Sequence, residues 1–312
     1  MVRQPIRIGA RGSKLSVIQA ETVRAAIARA LGADEAAELV RITTSGDRIQ
    51  DRTLAEIGGK GLFTLEIEEA LAAGRIDCAV HSLKDMPAEI PAGLAIAAIP
   101  EREDPRDAFL SRRFDTLAAL PEGATLGTAS LRRQAQTLRL RPDLKILPLR
   151  GNVDTRLAKL ERGDADAILL AASGLNRLGL GGEVKAFIDP LAAPPAPGQG
   201  ALAIQTRAED RDAPWLGELR HRPTTLAVAA ERGALAALDG SCRTAVGAFA
   251  RIEGGRLFLT VEALSPDGRR SFTGDGDIDL SGEEDEALAR TLGLRLGAEI
   301  KAGAGDALTG SS

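Results

Sequence analysis

Ile76-Asp77-Cys78-Ala79-Val80-His81-Ser82-Leu83-Lys84-Asp85-Met86-Pro87 is the stretch whose pattern decides the architecture. The apolar run 76–80 has the length of a short buried strand, and it breaks into a cation, a carboxylate and a proline. Pro87 cannot continue a sheet ladder, and it biases Met86 towards extended or turn geometry. Lys84 and Asp85 are therefore expected at the carboxyl end of a strand, where open α/β sheets hold their ligands.

Working outward, the same strand-then-helix rhythm repeats on both sides. Arg7-Ile8-Gly9-Ala10 reads as a first strand. Ser13 reads as a helix N-cap, with Leu15, Ile18, Val23, Ile27 and Leu31 on one face and a stop near Gly32. A strand is expected over 39–43, a polar loop or lid over 47–60, and a helix over 63–73. From about residue 101 the pattern restarts, with strands ending at Thr128 and spanning 145–149 and 167–172. Helices are expected over 130–141 and 154–162. No residue-level repeat links this half to the first. A proline-rich connector, 193–200, leads to a strand over 201–206 that is expected to return to the first domain. The last ninety residues change character: a helix over 224–238, β runs at 245–252, 256–264 and 269–274, a helix over 284–302, and a tail.

The fold class expected is α/β: two βα domains with mostly parallel sheets plus a smaller C-terminal α+β domain. The boundaries read as 1–101 plus 199–219 for domain one, 102–198 for domain two and 220–312 for the C-terminal domain.

Bulk properties narrow the function. The 312 residues are 44% hydrophobic and 27% charged, an ordinary globular balance. No apolar run approaches the roughly 18 residues of a membrane span. The first residues lack the apolar core of an export signal, so a cytoplasmic protein is expected. The net charge of −4 argues against a general nucleic-acid binder. Cys78 and Cys242 are the only cysteines, which leaves neither a disulfide framework nor a zinc spacing, and no metal is expected. Of 40 basic residues only seven are lysine, a bias that a GC-rich genome would produce by itself.

The positions of the arginines say more than their number. Arg11 follows the first strand, Arg132 and Arg133 follow a Thr128-Ala129-Ser130 cap, Arg150 follows another strand with Arg156 one turn into the next helix, and Arg177 follows a fourth. Cations in a helix's first turn oppose the macrodipole by about 0.3–1 kcal/mol each. One such arginine is ordinary solvated surface, whereas the set suggests an anion-lined edge. Gly179-Leu180-Gly181-Gly182 matches no phosphate-binding fingerprint, so acidic organic ligands fit better than nucleotides.

Lys84 and Asp85 could be a surface ion pair. Beside arginines, Asp85 is the carboxylate placed to offset or deliver positive charge during a reaction. His81 reads as a core or hydrogen-bonded structural residue, His221 as linker surface and Cys78 as inert packing. Cys242 sits in a glycine-containing loop beside Arg243, a setting that can favour thiolate.

These segments closely resemble the porphobilinogen deaminase family. The resemblance rests on Arg11-Gly12-Ser13, Gly59-Lys60-Gly61-Leu62-Phe63, Val80 to Pro87, Glu101 to Phe109, Thr128 to Gln134, Arg150 to Leu157, Gly174 to Leu178, Pro197 to Ala201 and the loop around Cys242. It implies two βα domains hinged like a periplasmic binding protein. It also implies a dipyrromethane cofactor on Cys242 through a thioether, to which four porphobilinogen molecules are added head to tail. Ammonia is lost at each addition and the linear tetrapyrrole hydroxymethylbilane is released. Each pyrrole brings two carboxylates, which accounts for the cations. By the same resemblance Lys84, Thr128, Ser130, Arg132, Arg133 and Arg177 hold the cofactor, and Arg11, Ser13, Arg150 and Arg156 hold incoming substrate. Asp85 would face the pyrrole nitrogens, stabilise the cationic azafulvene left when ammonia departs, and assist proton transfer. The family suggests a monomer.

One departure is Arg243, where the family commonly has a neutral polar residue after the cysteine. The competing reading from another class is a two-domain protein that binds a small dicarboxylate without catalysis. It explains the arginines but gives Cys242 no role. A third reading is a transferase for another carboxylated or phosphorylated metabolite.

Overall fold

The computed structural model describes residues 5–48, 64–239 and 244–308. The chain forms two compact units, Met1–Glu103 with Gly200–Thr225, and Asp104–Gln199 with Leu226–Ser312.

In chain order, unit one contains β1 (Ile6–Arg11), α1 (Lys14–Leu31), β2 (Ala37–Ile42), a turn of helix at Ser45–Arg48, α2 (Leu65–Ala72), β3 (Cys78–Ser82) and β4 (Leu94–Ala98). Unit two follows with β5 (Asp107–Ser111), β6 (Thr125–Thr128), α3 (Leu131–Leu140), β7 (Lys145–Pro148), α4 (Val153–Glu161), β8 (Ala167–Ala171), α5 (Ala172–Arg177) and β9 (Ala186–Phe187). The chain returns to unit one as β10 (Leu202–Arg207). Then α6 (Arg222–Ala237), β11 (Ala245–Glu253), β12 (Arg256–Leu264), β13 (Ser271–Asp279) and α7 (Asp285–Ala304) complete the described elements.

The two larger sheets share one topology. Unit one is ordered β2-β1-β3-β10-β4 and unit two β7-β6-β8-β5-β9. In each, the first three strands are parallel and the fourth runs against both neighbours. That fourth strand is in both cases the one that enters from the chain's crossing between units. The strand-then-helix rhythm that restarts near residue 101 thus ends in the same strand order, with no residue-level repeat.

Local chemistry explains the helix ends. The Ser13 side chain caps α1 by accepting from the Ser16 N–H at 3.3 Å. Gly32, at φ +65°, ends it with its N–H turned back to the Ala28 and Arg29 carbonyls. Ser16, Gln19, Ala20, Val23 and Ile27 form the buried face. Strand side chains alternate between layers, as the pleat requires. In unit one Ile8, Ala10, Cys78 and Val80 share a core with Ala20, Val23 and Ile27 of α1, while Ala79 joins Ile67 and Leu71 of α2. In unit two Ala108, Leu110, Ile168 and Leu170 belong to one core and Phe109, Ala167 and Leu169 to the other.

The C-terminal domain is the antiparallel meander β11-β12-β13. Leu292, Leu296 and Ile300 of α7 share its core with Leu257, Leu259 and Val261. The third strand reaches Asp279, five residues beyond its expected end, because its alternation of exposed and half-buried residues continues. Among the described residues no helix is long and apolar enough to cross a membrane.

Candidate active site

Parallel strands bring their carboxyl ends to one edge, and in unit one that edge carries the predicted charges. Arg11 is the last residue of β1, paired in register with Ile42. Ser13 follows as the cap of α1. After β3 the chain makes a 3-10 turn, Leu83–Asp85. Leu83 and Met86 are buried on either side of it, Lys84 is half-buried and Asp85 exposed. The Met86 N–H donates to the Leu83 carbonyl at 3.1 Å, and the Leu83 N–H to the Ala201 carbonyl at 3.0 Å. Two apolar anchors and two backbone bonds therefore hold the turn while its carboxylate faces water.

Beneath that turn runs a buried polar chain. The His81 ring lies with Nε2 3.0 Å from Gln205 Oε1, and Gln205 Nε2 donates to Glu68 Oε1 at 3.1 Å. Since the Gln205 amide nitrogen is spent on Glu68, its oxygen is the acceptor and His81 Nε2 carries the hydrogen. Burial pushes the His81 ring down to about 4, with Arg11 adding to the shift against the Gln205 bond. His81 is thus neutral at pH 7 and structural, as its sequence context suggested. Cys78 is fully buried and its thiol pushed up by desolvation, which fits inert packing.

The equivalent edge of unit two is built on arginine. Ser130 caps α3, its Oγ accepting from the Arg133 N–H at 3.4 Å, and Thr128 Oγ1 accepts from the Ser130 N–H at 3.1 Å. Arg132 and Arg133 are therefore in the first helical turn, as expected. Both are buried, at 5% and 6% exposure, and both close on one carboxylate. Arg132 donates to Asp107 through Nη1 at 2.7 Å and Nη2 at 3.3 Å; Arg133 does so through Nη2 at 2.8 Å and Nε at 3.1 Å. Gln199 Nε2 also donates to Asp107, at 2.8 Å. Burial alone would push the Asp107 carboxyl up, but the two guanidinium groups outweigh it and hold the group far below the ordinary carboxylate range. Two cations against one anion leave an uncompensated positive charge.

Arg150 and Arg156 enlarge that charge. Gly151, at φ +113°, makes the turn before α4; a Cβ there would sit 2.7 Å from the Thr155 Cγ2. Asn152 caps the helix by accepting from the Thr155 N–H at 2.9 Å, and Arg156 Nε donates to the Gly151 carbonyl at 2.8 Å. Desolvation, and then the nearness of Arg133 and Arg150, lower the Arg156 guanidinium to about 10, so it stays charged at neutral pH. Neither Arg150 nor Arg156 has a carboxylate partner among the described residues.

Arg177 departs from the expected position. It is the last residue of the six-residue α5, where a cation favours the helix dipole rather than opposing it. Cys242 with Arg243, and residues 49–60 of the anticipated lid, lie outside the described residues. Asp107, Gln136, Gln199 and Gln205 were missed. Asp107 sits in the charge-rich run Glu101-Arg102-Glu103-Asp104-Pro105-Arg106-Asp107, which reads as a loop, and only the apolar Ala108-Phe109-Leu110 after it signals a strand. A shallow pocket of about 260 Å³ lies at the opposite edge of the unit-one sheet, against Arg7, Asp77, Arg207 and Asp210. Its arginines are already spent, Arg7 on Asp77 at 2.8 Å and Arg207 on Asp210 at 2.6 Å, so it offers no comparable anion site.

Comparison with known proteins decides the family. Residues 6–214 match the model of the porphobilinogen deaminase dipyromethane cofactor binding domain, and residues 225–302 match the porphobilinogen deaminase C-terminal domain. Curated porphobilinogen deaminases from Caulobacter vibrioides are 67% identical over 318 residues, covering 99% of both chains. The protein of that name from Phenylobacterium zucineum is 66% identical over the same span. The chain belongs to the porphobilinogen deaminase family. Membership makes it a transferase of tetrapyrrole synthesis with a dipyrromethane cofactor, and supports that reading over a non-catalytic dicarboxylate binder. Solved structures similar in outline include a periplasmic substrate-binding protein from Coxiella burnetii, at 16% identity and TM-score 0.43 over 73% of this chain and 96% of the other. A putative methionine-binding lipoprotein from Bacillus subtilis follows at 14% identity and TM-score 0.41 over 71% and 92%. Overlaps that loose carry no argument; the α/β class rests on the sheet topology itself.

The residues present fit a polycarboxylate cofactor of the porphobilinogen deaminase kind. Asp107 takes the terminal edge of the Arg132 guanidinium, and the buried Nε on the other edge has no hydrogen-bond partner among the described residues. A planar carboxylate suits such an edge.

Proposed function

We propose that this chain joins four porphobilinogen molecules head to tail on a dipyrromethane held through Cys242, releasing ammonia at each addition and finally hydroxymethylbilane. Lys84, Thr128, Ser130, Arg132, Arg133 and Arg177 hold the cofactor carboxylates. Arg11, Ser13, Arg150 and Arg156 hold those of the incoming substrate. When bound, the cofactor supplies the pyrrole carbon to which the first substrate is joined. Asp85 supplies the acid–base function. Exposed on its anchored turn, it can stand against the positive charge left on the substrate as ammonia departs, and can take or return the proton that moves. The arginines bind, orient and neutralise carboxylates, each through a planar fork.

The observation that carries this reading is the shared address of the two charge sets. Each unit presents its set at the carboxyl edge of a sheet of the same topology, one set with an exposed carboxylate and the other with surplus cations. The division into domains 1–101 plus 199–219, 102–198 and 220–312, a monomeric state and a cytoplasmic location belong to the same proposal.

Intact-mass measurement tests it. The purified chain should carry an adduct of two pyrrole units that is missing in Cys242→Ser, and it should release ammonia from porphobilinogen and yield hydroxymethylbilane, read as uroporphyrin after acid cyclisation and oxidation by added iodine. A bare polypeptide mass that persists after incubation with porphobilinogen, with no ammonia released, would overturn the proposal.

A further inference from the structure

We infer that Glu262 of the C-terminal sheet is a positioning residue for Arg132, acting through Gln136. The inference rests on the cofactor-holding role proposed for Arg132.

Glu262 lies on β12 and is 1% exposed. A buried carboxylate is costly unless its oxygens are satisfied. Here Gln136 Nε2 donates to Oε2 at 2.8 Å and Ser271 Oγ donates to Oε1 at 3.0 Å. Arg139 Nε lies 3.0 Å from Oε1, close enough for an ion pair though not aligned as a hydrogen bond.

The consequence falls on Gln136. The Glu262 oxygen at 2.8 Å accepts from Nε2, so the amide turns its NH2 towards Glu262 and its oxygen away. That NH2 also donates to the Pro194 carbonyl, at 2.9 Å. The oxygen then accepts from Arg132 Nη1 at 2.8 Å, the same nitrogen that binds Asp107. With the Pro194 carbonyl also taking Nη1 at 3.2 Å, the terminal edge of Arg132 is held by Asp107, Gln136 and Pro194, which fixes the plane in which Nε, without a hydrogen-bond partner among the described residues, points. Without the acceptor at 262, the Gln136 NH2 keeps only the Pro194 carbonyl to orient it.

Packing makes the brace stiff. Ala135 of α3 is buried with Ala245 and Leu264 of the C-terminal sheet. The hairpin after β12 also touches the helix. Gly268, at φ +72°, approaches it so closely that a Cβ would sit 2.3 Å from the Ala135 carbonyl, and Gln134 Nε2 donates to the Pro266 carbonyl at 3.3 Å. The C-terminal sheet therefore sets the geometry of the α3 arginines rather than only carrying a loop.

The test uses the full chain as purified. The fraction carrying the two-pyrrole adduct is read by intact mass, alongside the rate at which cofactor-free chain gains it from porphobilinogen. Glu262→Met should lower the occupied fraction and slow loading at least fivefold in folded protein. Glu262→Gln, which keeps an acceptor for Gln136, should load within twofold of the parent. A role in folding alone would lower the melting temperature in Glu262→Met and leave loading of the folded protein unchanged, and that result overturns the inference. Gln136→Leu leaves Glu262 its other partners and keeps the question open to test if Glu262→Met fails to fold. It should slow loading to the same degree, and loading at the parent rate would overturn the route through Gln136. Arg132→Leu separates the two claims: normal loading in that variant removes the proposed role of Arg132 itself.

Discussion

The two βα sheets have the same strand order, yet they treat their charged edges in opposite ways. In unit one the carboxylate is outside: Asp85 is exposed on a turn pinned by Leu83 and Met86, and the polar chain beneath it, His81–Gln205–Glu68, holds a neutral ring. In unit two the carboxylate is inside. Asp107 is buried and serves as counter-ion to Arg132 and Arg133, whose surplus charge remains. The buried partner comes in each case from the antiparallel fourth strand, Gln205 on β10 and Asp107 on β5. One topology thus supplies two devices, an available proton-handling group and a preset electrostatic cradle. An exposed acid is open to a substrate, whereas an acid under two guanidinium groups is committed to organising them.

The largest effect should come from the exposed acid. Asp85→Asn keeps the size of the side chain and removes its charge and basicity. Turnover should fall by roughly 10²–10⁴, the usual scale of a lost general acid–base group, while the two-pyrrole adduct persists. Steady-state ammonia release together with intact mass checks both halves. Turnover within a few-fold of the parent would end the assignment.

The buried acid should act on stability instead. Asp107→Ala strands two buried cations and should cost about 3–5 kcal/mol, measured by urea unfolding. The pH dependence has a definite sign. The folded carboxyl is held below its unfolded value of about 3.9, so its contribution is complete above about pH 4 and is lost as pH falls towards the folded value. The gap between parent and variant should therefore be constant from pH 7 to 5 and shrink only in stronger acid. A gap that already narrows near pH 6 would point to a different group.

His81 gives the contrasting profile. Its unfolded ring takes up a proton below about pH 6.5, but the buried ring resists until about 4. Between those values the unfolded state binds more protons, so stability falls as pH falls, by about 1.4 kcal/mol per pH unit and on the order of 3 kcal/mol in all. His81→Gln should flatten that slope. Unfolding curves at pH 7, 6 and 5 that keep the parent's slope would show that the imidazole is not the source.

Much of the scaffold beneath this contrast is legible from residues alone, for reasons that can be named. The cap at Ser13, the stop at Gly32 and the charged turn before Pro87 are local signals, and the structure keeps each within a residue or two. The C-terminal hairpins followed from Gly254-Gly255 and Pro266-Asp267-Gly268. Strands β4, β5 and β9 were not anticipated. They are two to five residues long, and β5 opens on a buried aspartate whose place is justified by arginines about 25 residues away and by Gln199, farther still. The arginines were found by address, but their burial against Asp107 was not. A carboxylate that partners two guanidinium groups across strands leaves no periodic mark in the sequence. The brace from Glu262 is equally silent, since Gln136 and Glu262 are 126 positions apart.

The smallest effect sharpens the comparison furthest, because the two units start their central helices with the same device. Ser13 caps the 18-residue α1 and Ser130 the 10-residue α3, each accepting one N–H, and neither first turn contains an acidic residue. Either serine to alanine should cost about 1 kcal/mol, and either to glycine only a few tenths. The functional readouts should then diverge. The first turn of α3 holds Arg132 and Arg133, so loosening it in Ser130→Ala lets the guanidinium pair wander and should slow cofactor loading. The cation in the first turn of α1 is the exposed Lys14, so Ser13→Ala should leave loading at saturating porphobilinogen unchanged and act on the KM for porphobilinogen through Arg11 and the lost hydroxyl. Equal loading rates in the two alanine variants would mean that the capped turn of α3 does not transmit to its arginines. The difference between the units would then reside in the Asp107 ion triad alone.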